Sequence, residues 1–284
     1  MKTWRIIDVI NWGVEYFGSK GFDNPRLEIE IFLQYILNCE KINLYIDFEK
    51  EFSHSNLKKL KEVIKRRTKK EPIQYIIGKA SFYGRDFKVN ENVFIPRPET
   101  EIIINVSIEF LSIKKNPNIV DVGTGSGCIG ITLAKEFPSA QVIAIDYSES
   151  ILDTARENAK SVGVKNIEFI KFDFLKENFN YLADLVVSNP PYISCKEMSS
   201  LMVDVKEYEP HIALSDKMDG LEFYRIFSNK LNDIIKDEGS LIVEVGNGDH
   251  PLKVKRLFEE SGHDKVEMIK DYNKDIRVLK VIKG

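Results

Sequence analysis

The stretch NIVDVGTGSGCIGITLAKEF, residues 118–137, is the most informative about the fold class. It predicts a short apolar strand, a loop with several glycines and an apolar helix. The pattern then repeats, with predicted strands and helices at 140–146 (AQVIAID), 148–163 (SESILDTARENAKSVG), 166–174 (NIEFIKFDF) and 183–188 (ADLVVS). Such alternation indicates an α/β fold with a mostly parallel, doubly wound sheet. Ligands bind such sheets at the carboxyl ends of the strands.

The C-terminal part of the chain continues this alternation. Residues 221–235 predict a helix, 239–246 an apolar strand and 251–262 a further helix, and two terminal strands follow. We therefore expect one α/β domain over residues 96–284.

The N-terminal part has a different pattern. Apolar residues recur at helical spacing in 4–17 and 26–37, and a basic helix follows with Ser55 as its expected cap. We predict a small helical-bundle domain over residues 1–71, ended by Pro72.

A connecting segment lies between these two parts. IQYIIGKASFYGRDFKVN (73–90) predicts two strands about a glycine-containing turn, and hence a linking β-hairpin over residues 72–95. The proline-stiffened loop FIPRPETE (94–101) then leads into a helix. Glu99 to Glu101 lie near the start of that helix, where the helix dipole favours acids.

Composition indicates a globular protein from a reducing compartment. Apolar residues make up 43% of the 284 and charged residues 30%. There is no run of eighteen apolar residues and no leader pattern, so we expect a cytoplasmic protein without a membrane span. Cysteines are few, odd in number and far apart, which argues against a disulfide scaffold. No His/Cys cluster has metal spacing, so we predict no metal site.

The segment KKLKEVIKRRTKK (58–70) is strongly basic in a chain of net charge −3. One interpretation is the solvated face of a helix that buries Leu60, Val63 and Ile64. The other is a contact surface for RNA or an acidic protein. The overall charge argues against a general nucleic-acid binder.

The loop DVGTGSGCIG (121–130) fits two classes of cofactor site. Its glycines allow positive φ and close approach of a ligand. Residues 125–130 match the dinucleotide fingerprint G-x-G-x-x-G, and Asp146 at the end of the second strand suits a ribose. The loop alone therefore leaves an NAD site open.

S-adenosyl-L-methionine sites use the same corner of the sheet with the pattern acid-x-Gly-x-Gly-x-Gly. Asp121 stands two residues before Gly123, as this pattern requires. A carboxylate here suits a cofactor with a cationic, sulfonium-bearing amino acid, and it would repel a pyrophosphate. Asp146 would accept from the ribose hydroxyls in either case. We therefore favour the methyl donor over NAD.

The strand ADLVVS is followed by the turn Asn189-Pro190-Pro191-Tyr192. In a doubly wound sheet this strand lies beside the first one, so Asn189 should lie at the cofactor's edge. The prolines hold Asn189 and Pro190 in extended geometry. The Asn189 side-chain oxygen and the Pro190 carbonyl can then accept both hydrogens of an –NH2 group, with Tyr192 as a stacking surface.

This turn suits methylation of a planar, conjugated amine or amide. Such a nitrogen is a poor nucleophile because its lone pair is delocalised. Two acceptors on its hydrogens would draw it toward a tetrahedral state and aim the lone pair at a methyl donor. Positioning and electrostatics then suffice without a strong base. An NAD enzyme would have no use for this turn.

With these motifs the chain resembles the HemK/PrmC-type protein-(glutamine-N5) methyltransferases, which modify peptide chain release factors. The resemblance covers nearly the whole chain, and the combination of IPRPETE with SNPPYI is highly specific. The similar segments are 24–37, 71–101, 121–134, 144–159, 184–193, 208–214 and 219–227.

The resemblance implies a seven-stranded, Rossmann-like S-adenosyl-L-methionine-dependent methyltransferase domain behind an N-terminal helical domain that recognises the substrate. The implied reaction methylates N5 of the glutamine in the Gly-Gly-Gln motif of release factors, releases S-adenosyl-L-homocysteine and modulates translation termination. The implied cofactor-binding residues are Asp121, Gly123, Thr124, Gly125, Ser126, Gly127, Asp146, Asp173, Phe174 and Asn189, with the adenine at Asp173 and Phe174. The glutamine would bind Asn189, Pro190, Pro191 and Tyr192, of which Asn189, Pro190 and Tyr192 would be catalytic.

For this assignment we expect a monomer that needs no direct contact with nucleic acid. Two alternatives to it remain. An adenine-N6 DNA or RNA methyltransferase would use the same turn and cofactor, but the chain is mildly acidic and has no separate basic recognition domain. A cofactor-binding module without catalysis would not need Asp121, Asp146 and Asn189 together.

The chain departs from the family at two places. It has Asp249 where related sequences often carry Gln, and it lacks a glycine in DYNKDI before Arg277. We expect both departures in C-terminal strands, away from the chemistry.

Overall fold

The computed structural model describes residues 3–284. The chain divides into two compact units, one ending at Gly78 and one spanning Lys79–Gly284. Within the described range, no helix combines the length and the apolar character needed to cross a lipid bilayer.

The first unit is a group of helices around one apolar core. Phe17 and Phe32 are fully buried in it, with ring centroids 6.1 Å apart. Gly13 lies where two helices meet, since a Cβ there would come within 2.3 Å of Ile29. The helices are α1 (Ile6–Ser19), α2 (Pro25–Leu37), α3 (Lys41–Ile46), α4 (His54–Arg67) and α5 (Ile73–Ile77).

The basic helix α4 buries one face, as the first interpretation of its sequence requires. Its buried residues are Leu60, Val63 and Ile64. The expected cap is wrong by two residues, because the Ser53 hydroxyl accepts from the Asn56 N–H at 3.3 Å. Ser53 Oγ also lies 2.9 Å from the hydroxyl of Ser55.

The prediction of a strand at residues 73–77 is also wrong. These residues form α5, which ends at Gly78 in the left-handed region with φ of 77°. A five-residue apolar run such as IQYII fits a buried helical turn as well as a strand. The hairpin is therefore shorter and consists of β1 (Lys79–Phe82) and β2 (Arg85–Lys88), paired antiparallel.

The second unit is built on a seven-stranded sheet. The strand order is β5-β4-β3-β6-β7-β9-β8, and β9 is antiparallel to both of its neighbours. The strands are β3 (Asn118–Val122), β4 (Gln141–Asp146), β5 (Ile167–Lys171), β6 (Ala183–Ser188), β7 (Ile235–Glu244), β8 (Val266–Lys270) and β9 (Ile276–Ile282). The predicted α/β class and the pairing of ADLVVS with the first strand are confirmed.

Helices cover both faces of this sheet, because alternate strand residues point to opposite sides. Ile119 packs in a cluster with residues of the helices that follow the hairpin, whereas its neighbour Val120 packs in a cluster with Phe227 and Phe258. The helices are α6 (Glu101–Leu111), α7 (Cys128–Glu136), α8 (Glu149–Val162), α9 (Val203–Tyr208), α10 (His211–Leu214), α11 (Glu222–Ile234) and α12 (His250–Glu260), with 3-10 turns at Pro98–Thr100 and Glu197–Ser200.

The chain changes direction across the sheet at β3. From there β4 and β5 extend to one side, and β6 and β7 to the other. The loops after β3 and β6 therefore leave the same edge at the topological switch point, where α/β sheets bind ligands.

Candidate active site

A cavity of about 550 Å³ lies at this switch point. Val122 and Ser188, the last residues of β3 and β6, are paired in register, and the Ser188 hydroxyl donates to the Val122 carbonyl at 2.7 Å. The glycine loop and the asparagine turn are thereby joined at their bases. Eleven of the predicted site residues line the cavity: Gly123, Thr124, Gly125, Ser126, Asp146, Asp173, Phe174, Asn189, Pro190, Pro191 and Tyr192.

The glycine loop turns sharply beneath the cavity. The N–H groups of Gly123 and Thr124 both donate to the Ile145 carbonyl, at 2.9 and 3.0 Å. Gly127 has φ of 83° and does not itself line the cavity. A Cβ on Gly127 would come within 2.5 Å of Ile131, so the turn into α7 requires glycine here.

Asp121 does not reach the cavity wall. Its side chain is fully buried behind the loop, where Oδ2 accepts from the Thr124 hydroxyl at 2.6 Å and from the Gly130 N–H at 2.9 Å. A Cβ on Gly130 would come within 2.9 Å of this carboxylate. Among residues 3–284, its Oδ1 has no hydrogen-bond partner. Burial raises the pKa of Asp121 to about 6.

Asp146 does line the cavity, at the carboxyl end of β4. Its Oδ2 accepts a hydrogen bond from the Gly125 N–H at 3.0 Å, which ties the strand to the loop. The residue is 6% exposed. Burial raises the pKa of Asp146 to about 6, so at neutral pH the group is an ionised acceptor.

Asp173 and Phe174 form another part of the wall. Phe174 is buried and packs on Phe227 with ring centroids 4.8 Å apart. The Asp173 carboxylate pairs with Lys176 at 2.7 Å and accepts from the Leu175 N–H at 3.2 Å. This region offers an apolar surface beside a hydrogen-bonding loop.

The asparagine turn rests on two residues that sequence reasoning did not assign to the site. The Asn189 amide donates from Nδ2 to the Thr100 hydroxyl at 3.1 Å, and Thr100 donates to Oε2 of Glu244 at 2.6 Å. Oε1 of Glu244 accepts from the Tyr192 hydroxyl at 3.1 Å. One buried carboxylate thus supports both polar side chains of the turn. The signal for Glu244 was an acid within the otherwise apolar run LIVEV (241–245), and Thr100 belongs to IPRPETE.

Arg277, the residue that follows the second family departure, acts electrostatically on this site. Burial raises the pKa of Glu244 to about 6, and the Arg277 charge acts in the opposite direction. The expectation that Asp249 lies in a strand is wrong. It directly precedes α12 instead of lying in a strand, and its exposed carboxylate pairs with Lys253 at 2.9 Å.

An ion pair joins two of the segments in which the chain resembles the family, 71–101 and 208–214. Arg97 of the IPRPETE loop donates to the Glu209 carboxylate, and its guanidinium lies 4.7 Å from the centre of the Phe94 ring. Glu209 is 4% exposed, and burial raises its pKa. Phe94 lines the cavity, so this pair holds one of its walls.

The hairpin is fastened to the glycine loop through Asn158 of α8. The Asn158 side chain accepts from the Lys88 N–H at 2.7 Å and donates to the Lys88 carbonyl at 3.0 Å. The same amide donates to the Ser126 carbonyl at 2.8 Å. The hairpin therefore helps to shape the cavity.

Comparison with known proteins agrees with this geometry. Residues 8–78 match the family described as PrmC N-terminal domain, and residues 113–278 match a methyltransferase domain. The release factor glutamine methyltransferase of Chlorobaculum tepidum is 38% identical, over 96% of this chain and 95% of that protein. The enzyme of the same name from Fusobacterium nucleatum subsp. nucleatum is also 38% identical, over 96% of this chain and 77% of that protein.

A solved structure supports the fold. A methyltransferase from Pyrococcus furiosus superposes with a TM-score of 0.51 at 18% identity, over 72% of this chain and 91% of that one. Together with the two matched domains and the relatives, these findings mean that the chain belongs to the release factor glutamine methyltransferase family.

Proposed function

We propose that this protein transfers a methyl group from S-adenosyl-L-methionine to the side-chain nitrogen N5 of the glutamine in the Gly-Gly-Gln motif of peptide chain release factors, and so modulates translation termination. The names of the relatives support the acceptor class. The observation that supports the chemistry most is the hydrogen bond between Ser188 and Val122, which brings the Asn-Pro-Pro-Tyr turn beside the glycine loop.

The residues of the cavity fit this methyl donor. Asp146 offers an ionised acceptor for the ribose hydroxyls, and Phe174 with Asp173 offers a surface and polar edge for the adenine. Asp121 lies behind the loop, where its buried charge favours the cationic amino-acid part without touching it. When bound, the cofactor supplies a methyl group on a sulfonium centre and leaves as S-adenosyl-L-homocysteine.

The turn performs the positioning on the acceptor side. The Asn189 oxygen and the Pro190 carbonyl hold the two amide hydrogens, and Tyr192 packs against the plane of the amide. Pro191 keeps this turn rigid. Burial raises the pKa of Tyr192, so the phenol stays neutral and donates to Glu244. The amide nitrogen loses its proton to water readily once it is methylated, so no side chain has to act as a strong base.

The two parts of the chain have different roles in this proposal. Residues 1–71 recognise the release factor, the hairpin within 72–95 links, and residues 96–284 carry out the transfer. A glutamine flanked by glycines is small and uncharged, so it can enter the cavity without phosphate contacts. We therefore propose that the protein needs no direct contact with nucleic acid. We also propose that it acts as a monomer in the cytoplasm.

Methyl transfer in a cell extract tests this function. The purified protein is incubated with extract and labelled donor, and the labelled molecules are identified. We expect label in release factors. Label confined to DNA or RNA would support the adenine alternative and contradict the proposal.

A further inference from the structure

A chain of hydrogen bonds runs from the asparagine turn to a buried carboxylate. We propose that Thr100 and Glu244 are positioning residues that decide which atom of the Asn189 amide faces the methyl acceptor. The inference rests on the proposed function, in which the oxygen of Asn189 meets the acceptor –NH2 group. Thr100 comes from the 3-10 turn before α6 and Glu244 from the end of β7, so two distant segments act on one amide.

The direction of this chain follows from its protons. The Thr100 hydroxyl has one hydrogen, and its oxygen lies 2.6 Å from Glu244. An ionised carboxylate only accepts, so that hydrogen points to Glu244. The Thr100 oxygen then offers only lone pairs to Asn189, whose Nδ2 lies 3.1 Å away. If the amide were reversed, Oδ1 would face the Thr100 oxygen, and both atoms can only accept hydrogen bonds. Nδ2 must therefore face Thr100, which leaves Oδ1 to face the methyl acceptor.

The ionisation of Glu244 maintains this direction. Burial raises its pKa to about 6 and Glu99 acts the same way, whereas the hydrogen bonds from Thr100 and Tyr192 and the Arg277 charge lower it. The other titratable groups that act electrostatically with it are neutral phenol and thiol groups whose pKa values burial raises, Tyr224 and Cys128. Below about pH 6, Glu244 gains a proton that it can donate to Thr100. The Thr100 hydrogen is then free to point toward Asn189, and the side-chain amide can flip so that Oδ1 accepts it.

If Glu244 only supported the turn structurally, it would not need to be charged. A glutamine at position 244 has the same shape and can hold Thr100 and Tyr192 by hydrogen bonds. Its amide both donates and accepts, so it would impose no direction on Thr100. Burying a carboxylate is also unfavourable compared with a neutral group. The buried charge therefore has its clearest use in orienting Asn189.

The kinetic test removes the hydroxyl of Thr100. For Thr100→Val we expect kcat for release-factor methylation to fall about 10- to 100-fold, as for a misplaced reacting group, with the cofactor Kd unchanged. Thr100→Ser keeps the hydroxyl and should restore kcat to within about 3-fold of wild type. Thr132→Val is the matched control, because the Thr132 hydroxyl is buried in α7 and, within residues 3–284, has no hydrogen-bond partner. It should leave kcat unchanged. Wild-type kcat in Thr100→Val would overturn the proposal.

A second test needs no methyl acceptor. The side-chain amide signals of Asn189 are assigned in 15N-labelled protein by their loss in Asn189→Ala. We expect them to shift with a midpoint near pH 6 in wild type and to show no such titration in Glu244→Gln. Signals that titrate equally in both proteins, or in neither, would overturn the inference. If the signals titrate as expected but wild type fails to methylate release factors, the proposed function is wrong and the orienting network stands.

Discussion

The Asp146 carboxylate and the Gly125 N–H are joined by a hydrogen bond of 3.0 Å that ties the end of β4 to the glycine loop. This bond uses one carboxylate oxygen, and Asp146 also lines the cavity. The same carboxylate can therefore support the loop through one oxygen and still be available to the ribose of a bound cofactor.

Replacing Asp146 should weaken cofactor binding. Asp146→Ala removes a charged acceptor, which typically contributes about 1.5–3 kcal/mol to a hydrogen bond. Calorimetry with S-adenosyl-L-methionine should show this loss in a protein that remains folded. Asp153→Ala, at an exposed position of the following helix, is the control and should bind as wild type does. Wild-type affinity in Asp146→Ala would exclude the ribose role.

The buried Asp121 should make stability depend on pH. Its folded pKa is about 6, against 3.8 for an exposed carboxyl, so the folded state holds the proton more tightly than the unfolded state. Stability from this group therefore falls as pH rises from about 4 to 6, by about 3 kcal/mol, and then levels off.

Asp121→Asn cannot ionise and should lack this fall. Urea unfolding of the cofactor-free protein between pH 4 and 8 would reveal it as a free-energy difference between wild type and variant that grows up to pH 6. The exposed change Asp153→Asn provides the comparison. A difference that is constant across the whole range would show that Asp121 does not titrate there.

Asn189 should act on turnover more than on folding. Asn189→Ala removes the oxygen that we propose positions the methyl acceptor, so we expect kcat to fall by about 10²-fold or more. The melting temperature should change little, since within residues 3–284 its side chain makes one hydrogen bond, to Thr100. Asn232→Ala in α11 is a suitable control at an exposed site. Activity within a few-fold of wild type would rule out the role of Asn189.

The exposed lysines of α4 test recognition of the partner. Reversing Lys58, Lys61 and Lys65 to Glu should slow association with an acidic release-factor surface and weaken its salt dependence, as stopped-flow binding would measure. Arg67 is not a suitable probe, because it pairs with Glu28 at 2.8 Å with little exposure and its reversal would destabilise the helical unit. Unchanged association rates would assign the helix a structural role alone.

Local motifs made much of the site predictable. The glycine loop and the asparagine turn each follow a strand directly, and Asp146 is the last residue of one, so the alternation of strands and helices was enough to predict that they meet at one edge. Thr100 and Glu244 were missed because they are 144 residues apart and become neighbours only in the folded sheet. Asp121 could be identified from the loop pattern, but its position behind the loop could not.

Other differences have equally local reasons. The run at 73–77 fits a strand or a buried helical turn, and its length does not distinguish them. Arg277 directly follows the second family departure, residues 271–276. Strand β9 pairs with β7, which brings that residue near the carboxylate of Glu244.

The most direct test of the proposed function offers purified enzyme and labelled donor four acceptors. They are a release factor, its Gln→Ala variant at the Gly-Gly-Gln motif, adenine-containing DNA and adenine-containing RNA. We expect label only in the unaltered release factor, and fragmentation mass spectrometry should locate it on the glutamine side-chain nitrogen. Label in the Gln→Ala variant, or in nucleic acid at a comparable rate, would contradict it.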